Sequence, residues 1–496
     1  MIRSVLATHL TLRFLPEDWP RLRHHPELAP ALRHLRPKNR IWTFYDTRAG
    51  DLSAAGWALC TGRNGRQSLQ KLEPVLRSAL PHVPAYGWIW SRKGLKPDLT
   101  LLEGTPAAEW SAIADVIPVY RATFRELQGQ CPFEGSDIQV TLSRGSVQAG
   151  EQAETVCLLN LSLKDGSVSS LYDMASTLTD LPIWISSETV PMQGIRLAHA
   201  RNPVPASAKT SLAEGSVTVG DGWNSAILPA LTAYLAHQAR AERGSMEDVH
   251  QARVAIRRLR SALKFFRPLL PKNAFLQEAL TFQQLGHVLG DVRDWDVFLN
   301  EILPHAEANA SHALLQFAES RRAEARAVLS QRLSDPSVTA AILSLGAATV
   351  RPAMAFGPEL SSVPLLKHAP ALLDHMAAKV HHRDAHLSRL SDQQLHELRK
   401  ALKGLRYSTD IVSALYPADA QTEYMGHCKD LQDLFGRFND SATAKRLVKQ
   451  AREEGNVDRK EIDSVLHAAH RAKKKALEKL PKKWKSFSKT APFWCQ

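Results

Sequence analysis

The 496-residue sequence predicts an α+β protein whose first part is rich in strands and whose second part is all helical. Three observations carry that reading. Before residue 200, apolar residues alternate one by one in several stretches, the period of a strand. From about residue 220 they recur every three or four positions, the period of a helix with one buried face. Between the two lies RNPVPASAKTSLAEGS (201–216), rich in Pro, Ser and Ala with few large apolar residues, which reads as a linker. The length exceeds what one ordinary core serves, and a hydrophobic fraction of 44% suffices to build cores.

Taken in order, residues 5–15 alternate as a strand. DIQVTLSRGSV puts Ile138, Val140 and Leu142 on one face before a turn expected at the glycine, Gly145. ETVCLLNLSLKDGS alternates again up to a turn at Lys164-Asp165-Gly166-Ser167, and residues 168–178 read as a helix. The five cysteines are scattered and form no CxxC pair, which argues against a zinc site or a disulfide framework and fits a reducing compartment. The first twenty residues lack the apolar core of a signal peptide, and no run of about 18 apolar residues is present, so a cytoplasmic location is expected.

The charge is uneven. The chain carries +13; residues 216–496 hold 40 Lys and Arg against 30 Asp and Glu, while residues 1–215 hold 23 against 20. An attraction to anions therefore sits mainly in the helical half. That half also repeats. HQARVAIRRLRSALK (250–264) aligns with HELRKALKGLRYSTD (396–410), and LGHVLGDVRDWD (285–296) with LQDLFGRFNDSA (431–442), both at an offset of 146. Two separated blocks in one register point to a duplicated helical bundle.

A helix turns about 100° per residue, so positions +3, +7, +10 and +14 from His250 return to one side. Arg253, Arg257, Arg260 and Lys264 stand there; Ile256, Leu259, Leu263 and Phe266 form the adjoining apolar stripe. The second copy places His396, Arg399, Lys403 and Arg406 on one side, and Leu398, Leu402, Leu405 and Val412 on the other, with Lys400 at the margin. Arg258 points elsewhere. Solvated helix faces mix signs, because like charges one turn apart cost a few tenths of a kcal/mol per pair, about as much as opposite charges gain. The residues leave open a solvated face, a membrane or nucleic-acid helix, and a surface for a phosphate chain. Arg suits the last, because its planar fork donates two hydrogen bonds at once.

The pattern H-x-x-R-V-x-x-R-R-L-R with G-D-V-R-D-W-D, and H-x-x-R-x-x-x-K-x-L-R-Y with G-x-x-N-D, resembles the CHAD domain, the conserved histidine α-helical domain. The resemblance covers residues 220–496, including the basic stretch KKWKSFSKTAPFW. It implies two helical bundles related by a pseudo-twofold axis and binding of inorganic polyphosphate. It also implies that His250, Arg253, Arg257, Arg260, Lys264, His396, Arg399, Lys400, Lys403 and Arg406 line the binding groove.

Residues 41–59, IWTFYDTRAGDLSAAGWAL, with the strands above, resemble the CYTH domain, the triphosphate tunnel fold that often precedes a CHAD domain. This implies an antiparallel β tunnel over residues 1–200. The tunnel chemistry departs from that family. Thr8, Leu10 and Leu12 stand for its Glu-x-Glu-x-Lys, and Cys60 and Gly62 for its Arg-x-Arg. The strand from Cys157 to Leu163 has no acid, and the final element ends in Met192 to Gly194. Without paired carboxylates, Mg²⁺ has nothing to bridge it to phosphate.

The expectation is therefore three segments: a degenerate tunnel over 1–200, a linker over 201–219 and a helical domain over 220–496. Within the last, repeat one spans about 220–350 and repeat two about 360–496. The protein is expected to bind polyphosphate without catalysis, metal or cofactor, at polyphosphate granules. A phosphohydrolase in the first part and nucleic-acid binding are the alternatives. His381, His382, Asp384 and His386 read as a solvated helix face. Trp484, Phe487, Phe493 and Trp494 read as the packing of a final helix.

Overall fold

The structure is a computed structural model describing residues 3–82, 84–112, 115–199, 217–305, 312–382, 390–455, 457 and 459–495. The linker over 201–216 and the pair Asp384 and His386 lie outside the described residues. Two compact units result: residues 1–208 with 334–350, and residues 209–333 with 351–496.

The first unit is an antiparallel barrel. Its strands are β1 (Arg3–Phe14), β2 (Lys38–Asp46), β3 (Trp57–Asn64), β4 (Gln67–Pro74), β5 (Ala85–Arg92), β6 (Ile117–Phe133), β7 (Ser136–Ala149), β8 (Gln152–Asp165) and β9 (Ile183–Ile185). The order β5-β4-β3-β2-β6-β7-β8-β1-β9 closes because β1 also pairs with β5, from Arg3 opposite Ile89 to Ala7 opposite Ala85. Closure leaves no free edge among the eight strands β1–β8. Among the described residues, six α-helices belong to this unit: α1 (Trp19–His24), α2 (Ala29–Leu32), α3 (Asp51–Ala54), α4 (Ser169–Thr177), α5 (Val190–His199) and α10 (Pro336–Val350).

Two expectations change here. Gly145 is no turn: β7 runs straight through it, and a Cβ there would lie 1.7 Å from the Thr123 carbonyl oxygen of β6. The glycine permits that close strand approach, and the turn falls at Gly150, whose φ is 57°. The second change is α10, expected inside repeat one. Ten of its fifteen residues are buried, so it has little polar face, and it packs on α4 and β9 of the barrel unit. The Tyr172 ring lies against Gly346. Tyr172 donates its hydroxyl proton to, or accepts one from, His82 Nδ1 at 2.9 Å, and His82 Nε2 meets Thr349 Oγ1 at 2.7 Å.

The second unit is helical. Repeat one comprises α6 (Val219–Glu242), α7 (Met246–Phe266), α8 (Leu276–Val297) and α9 (His312–Leu333). After the short α11 (Pro352–Phe356) and α12 (Pro358–Ser361), repeat two comprises α13 (Ala369–His381), α14 (Asp392–Val412), α15 (Ala418–Glu454) and α16 (Arg459–Lys489). The duplication extends to the helix starts. Ser245 caps α7 by accepting from the Asp248 amide, and Ser391, 146 residues on, caps α14 by accepting from the Gln394 amide. Ile256, Leu259, Leu263 and Phe266 are buried, as are Leu398, Leu402, Leu405 and Val412. The apolar stripes thus lie where the helical period put them. Trp484, Phe487, Phe493 and Trp494 are buried too; Phe487 stacks on His381, and Trp494 Nε1 donates to Asp374 at 2.8 Å. His381 therefore packs instead of facing solvent, while His382 is exposed. No single helix among the described residues is long and apolar enough to cross a membrane.

Candidate polyanion site and the barrel cavity

Helices α7 and α14 pack on each other, which sets the two cationic rows side by side. The Arg257 Nε donates to the Tyr407 hydroxyl at 2.9 Å, and the Arg257 guanidinium lies 5.3 Å from the centre of the Tyr407 ring. Arg406 approaches the same ring at 5.9 Å. The negative face of that ring offsets part of the repulsion between the guanidinium groups, by about 0.5–1 kcal/mol per contact.

The electrostatics locate the centre of the cluster. Lys403 is pushed down to about 6, first by burial and then by Arg399, Arg257 and Arg253. Arg399 falls to about 10 through burial and then Arg253. Arg253 is lowered by burial, with Arg257 adding to it. These four side chains, two from each repeat, thus crowd one place. Lys264 and Lys400 are exposed at another end, where Arg260, Lys379 and Lys400 follow burial in lowering Lys264. Burial also lowers Arg260. Each histidine stays with its own repeat. His250 is lowered by burial and Arg293, and His396 by burial and Lys400. Of the ten predicted residues, Arg253, Arg257, Arg399 and Lys403 thus act on one another across the two repeats, Arg260 and Lys400 act on Lys264, Arg406 reaches the group through the Tyr407 ring, and each histidine lies beside cations of its own repeat. Arg258 is exposed, apart from the row.

Few acids pair directly with this cluster, although Asp294 and Asp440 stand near enough to act on Arg253, Arg399 and Lys403. Among the described residues, Lys400 with Glu397 at 3.1 Å is the one ion pair that any of the ten makes. The nearby Asp294 is engaged by Arg446 at 2.6 Å. The Nε atoms of Arg253 and Arg399, equivalent in the repeat, are both buried without a hydrogen-bond partner. Leaving such donors unmet costs about 1–3 kcal/mol each, which an anion with several oxygens can recover.

Several residues of the site escape sequence reasoning. In repeat two, neutral amides hold the row: Arg399 Nη1 donates to Asn439 Oδ1 at 2.8 Å, and Arg406 Nη1 to Gln432 Oε1 at 2.9 Å. Repeat one has Arg293 and Gly286 at those positions. A Cβ at Gly286 would lie 3.2 Å from Arg260 Nη1, and one at Gly290 would lie 3.5 Å from Arg253 Nε. Gly286 makes room for the Arg260 guanidinium in one copy; the amide of Gln432 holds that of Arg406 in the other. The one sequence signal is the shared offset, which marks 286 with 432 and 293 with 439.

The barrel holds a partly open cavity of about 240 Å³. Its lining corrects the expected register. His9 and Thr11 of β1 face the cavity, whereas Leu10 and Leu12 are fully buried on the opposite side of the strand. Thr8, Leu10 and Leu12 therefore are not the inward positions. On β8, Leu158 and Asn160 face inward, again without an acid. Cys60 does line the cavity. At Gly62 a Cβ would lie 2.5 Å from the Trp42 ring, so the indole occupies the space of any longer side chain. Gly194 is likewise closed off by the Tyr120 ring.

The three cavity carboxylates each have a partner. Glu73 pairs with Arg77, Glu126 with Arg40 at 3.4 Å, and Glu188 with Arg196 at 3.2 Å. Lys71 sits 3.7 Å from the centre of the Trp42 ring. Among the described residues no group of three His, Cys, Asp or Glu is placed to hold a metal ion. The residues present thus do not fit the Mg²⁺ that a tunnel triphosphatase would use.

A family model described as the CHAD domain matches residues 225–449. This span contains all ten predicted residues and ends before α16 and the basic C-terminal stretch, which the sequence resemblance had included. Among solved structures, the chain is similar to the CHAD domain of the plant Ricinus communis, with 24% identity over 58% of this chain and 96% of that one, TM-score 0.46. It is similar to PptA of Streptomyces chartreusis, with 16% identity over 56% and 99% of the two chains, TM-score 0.38. It is also similar to a Hippeastrum adenylyl cyclase candidate described as having a dominant triphosphatase activity, with 15% identity over 40% and 98%, TM-score 0.29. The stretch of this chain that matches the CHAD domain, residues 225–449, thus begins after the last strand of the nine-stranded antiparallel sheet.

Proposed function

We propose that the protein binds inorganic polyphosphate without catalysis, through the converged cations of α7 and α14. One observation carries this: Arg253, Arg257, Arg399 and Lys403 crowd one surface from two repeats, with no acid paired to any of them among the described residues. A fold tolerates that repulsion where an outside anion relieves it. Many charge-assisted contacts along a chain give an affinity that rises with chain length and falls with salt. Polyphosphate granules in the cytoplasm are the expected location.

The barrel supplies the second reading, a phosphohydrolase, favoured by a cavity lined by Lys71 and Arg77. The pairing of its carboxylates supports a barrel kept for structure or docking instead. Nucleic acid is the third class. The one aromatic ring found among the cations, Tyr407, is buried between guanidinium groups and offers no platform for a base.

One set of measurements on the full chain separates the three. Phosphate release from tripolyphosphate is followed with Mg²⁺ and with Mn²⁺, and binding of long-chain polyphosphate is measured at physiological salt with single-stranded DNA as competitor. The expected result is no release above background, and binding that DNA displaces only at a large excess of phosphate. Metal-dependent release favours the hydrolase; displacement at equal phosphate favours nucleic acid.

A further inference from the structure

Helix α16 presents a second run of positive charge. Its apolar side is buried through Ala476, Leu480, Trp484 and Phe487. Opposite, Lys474, Lys475, Lys479, Lys482, Lys485 and Lys489 are all exposed. At 100° per residue these six fall within an arc of roughly 140°, and at 1.5 Å per residue they run for about 22 Å. From 471 to 489 the helix has a single acid, Glu478. None of the six makes an ion pair among the described residues; Lys483, off this face, reaches Asp430 of α15.

This face is separate from the α7–α14 cations. Helix α13 touches both sides: its His381 stacks on Phe487 of α16, while its Lys379 acts on Lys264 at the end of α7. No α16 lysine is among the groups that perturb Arg253, Lys264, Arg399 or Lys403. The chemistry of the face is charge alone. It has no exposed aromatic for stacking on bases, since Trp484 and Phe487 are buried. Its one exposed large apolar side chain, Leu477, stands at the margin, too little to enter a bilayer. Lysines act as mobile point charges, which suits a flexible chain of repeating phosphates without fixed geometry.

We propose that the outward lysine face of α16 is a second binding surface for linear polyphosphate, so that one protein molecule bridges two chains. The proposal rests on polyphosphate being the ligand of the α7–α14 cations. Bridging gives a soluble binder the means to gather polyphosphate into assemblies, because each molecule joins two chains and each long chain joins many molecules.

The test uses the full chain, a K474Q/K475Q/K479Q/K482Q/K485Q/K489Q variant and an R257E/K403E variant. Each is titrated with short-chain polyphosphate, and light scattering is followed with long-chain polyphosphate. The parent should scatter strongly near charge balance and clear when polyphosphate is in excess. The six-lysine variant should bind the short chain within about twofold of the parent, yet lose at least nine-tenths of the scattering. R257E/K403E should keep a weak, salt-sensitive binding. Scattering by the six-lysine variant equal to that of the parent overturns this proposal alone. A parent that fails to bind short-chain polyphosphate overturns the α7–α14 reading and this one with it. If anionic vesicles or single-stranded DNA occupy R257E/K403E more tightly than polyphosphate at equal charge, the face serves that partner and the proposal falls.

Discussion

Glu73 and Arg77 in the barrel cavity, and Arg257 and Lys403 on the helical unit, are all half-buried charges, yet their surroundings differ in kind. In the cavity each carboxylate has its own arginine, and Lys71 rests on an indole. On α7 and α14, like charges from two repeats press together, and their hydrogen-bonded supports are neutral, the Tyr407 hydroxyl, Asn439 and Gln432, while Asp294 and Asp440 act on them without forming ion pairs. Paired charges are satisfied at home and gain little from a ligand. Converged cations are destabilised until an anion arrives, so the free energy stored in their repulsion becomes available for binding. The comparison teaches that the sign and pairing of charges, more than their number, distinguish the proposed binding unit from the barrel.

The comparison breaks first at its centre. R257E/K403E should weaken polyphosphate binding at least 100-fold by titration calorimetry, whereas E73Q/E126Q in the cavity should leave it within about twofold. A cavity variant that loses as much as the helical one would move the site to the barrel. The next effect comes from the neutral supports. Asn439→Ala and Gln432→Ala free Arg399 and Arg406 without changing charge, and each should cost about 3- to 10-fold in affinity, in line with about 0.5–1.5 kcal/mol per hydrogen bond. No change in either variant would show that the rows need no fixing. The smallest effect is expected at Tyr407. Tyr407→Phe keeps the ring and removes the acceptor for Arg257, and a loss of about 2- to 5-fold is expected; a larger loss than in Asn439→Ala would reverse this ranking.

Much of the helical unit is legible in the sequence. The stripes of α7 and α14 repeat every three to four residues, and in a helix that spacing alone decides which side a residue takes. The offset of 146 ties the two repeats together by sequence alone. The partners are not legible. Arg257 meets Tyr407 across 150 positions, and Arg399 meets Asn439 across 40, contacts that only the packing of helices brings about. The barrel is harder for a different reason. Leu10 and Leu12 are buried outside the cavity, while Leu158 and Phe124 are turned into it. When both faces of a strand meet protein, alternation reveals that there are two faces without telling which is the inner one. Helix α10 reads like its neighbours in period, and its near-absence of a polar side is the sign that it is buried in another unit.

The most direct test of the converged cations is proton uptake during binding. Lys403 is lowered to about 6 by burial and then by Arg399, Arg257 and Arg253, with Asp440 opposing. It therefore holds its proton weakly near neutral pH. A phosphate chain placed there favours the charged form and raises that value, so binding draws a proton from solution, and affinity increases as pH falls from about 8 to 6, by at most tenfold per unit for one proton. His250 and His396, both lowered by burial, act with the same sign. Calorimetric titration with polyphosphate at pH 7 in two buffers of different ionisation enthalpy measures the uptake. The account predicts up to about one proton taken up by the parent and a clear reduction in Lys403→Met. Binding with no proton uptake, or affinity that grows with rising pH, would contradict it.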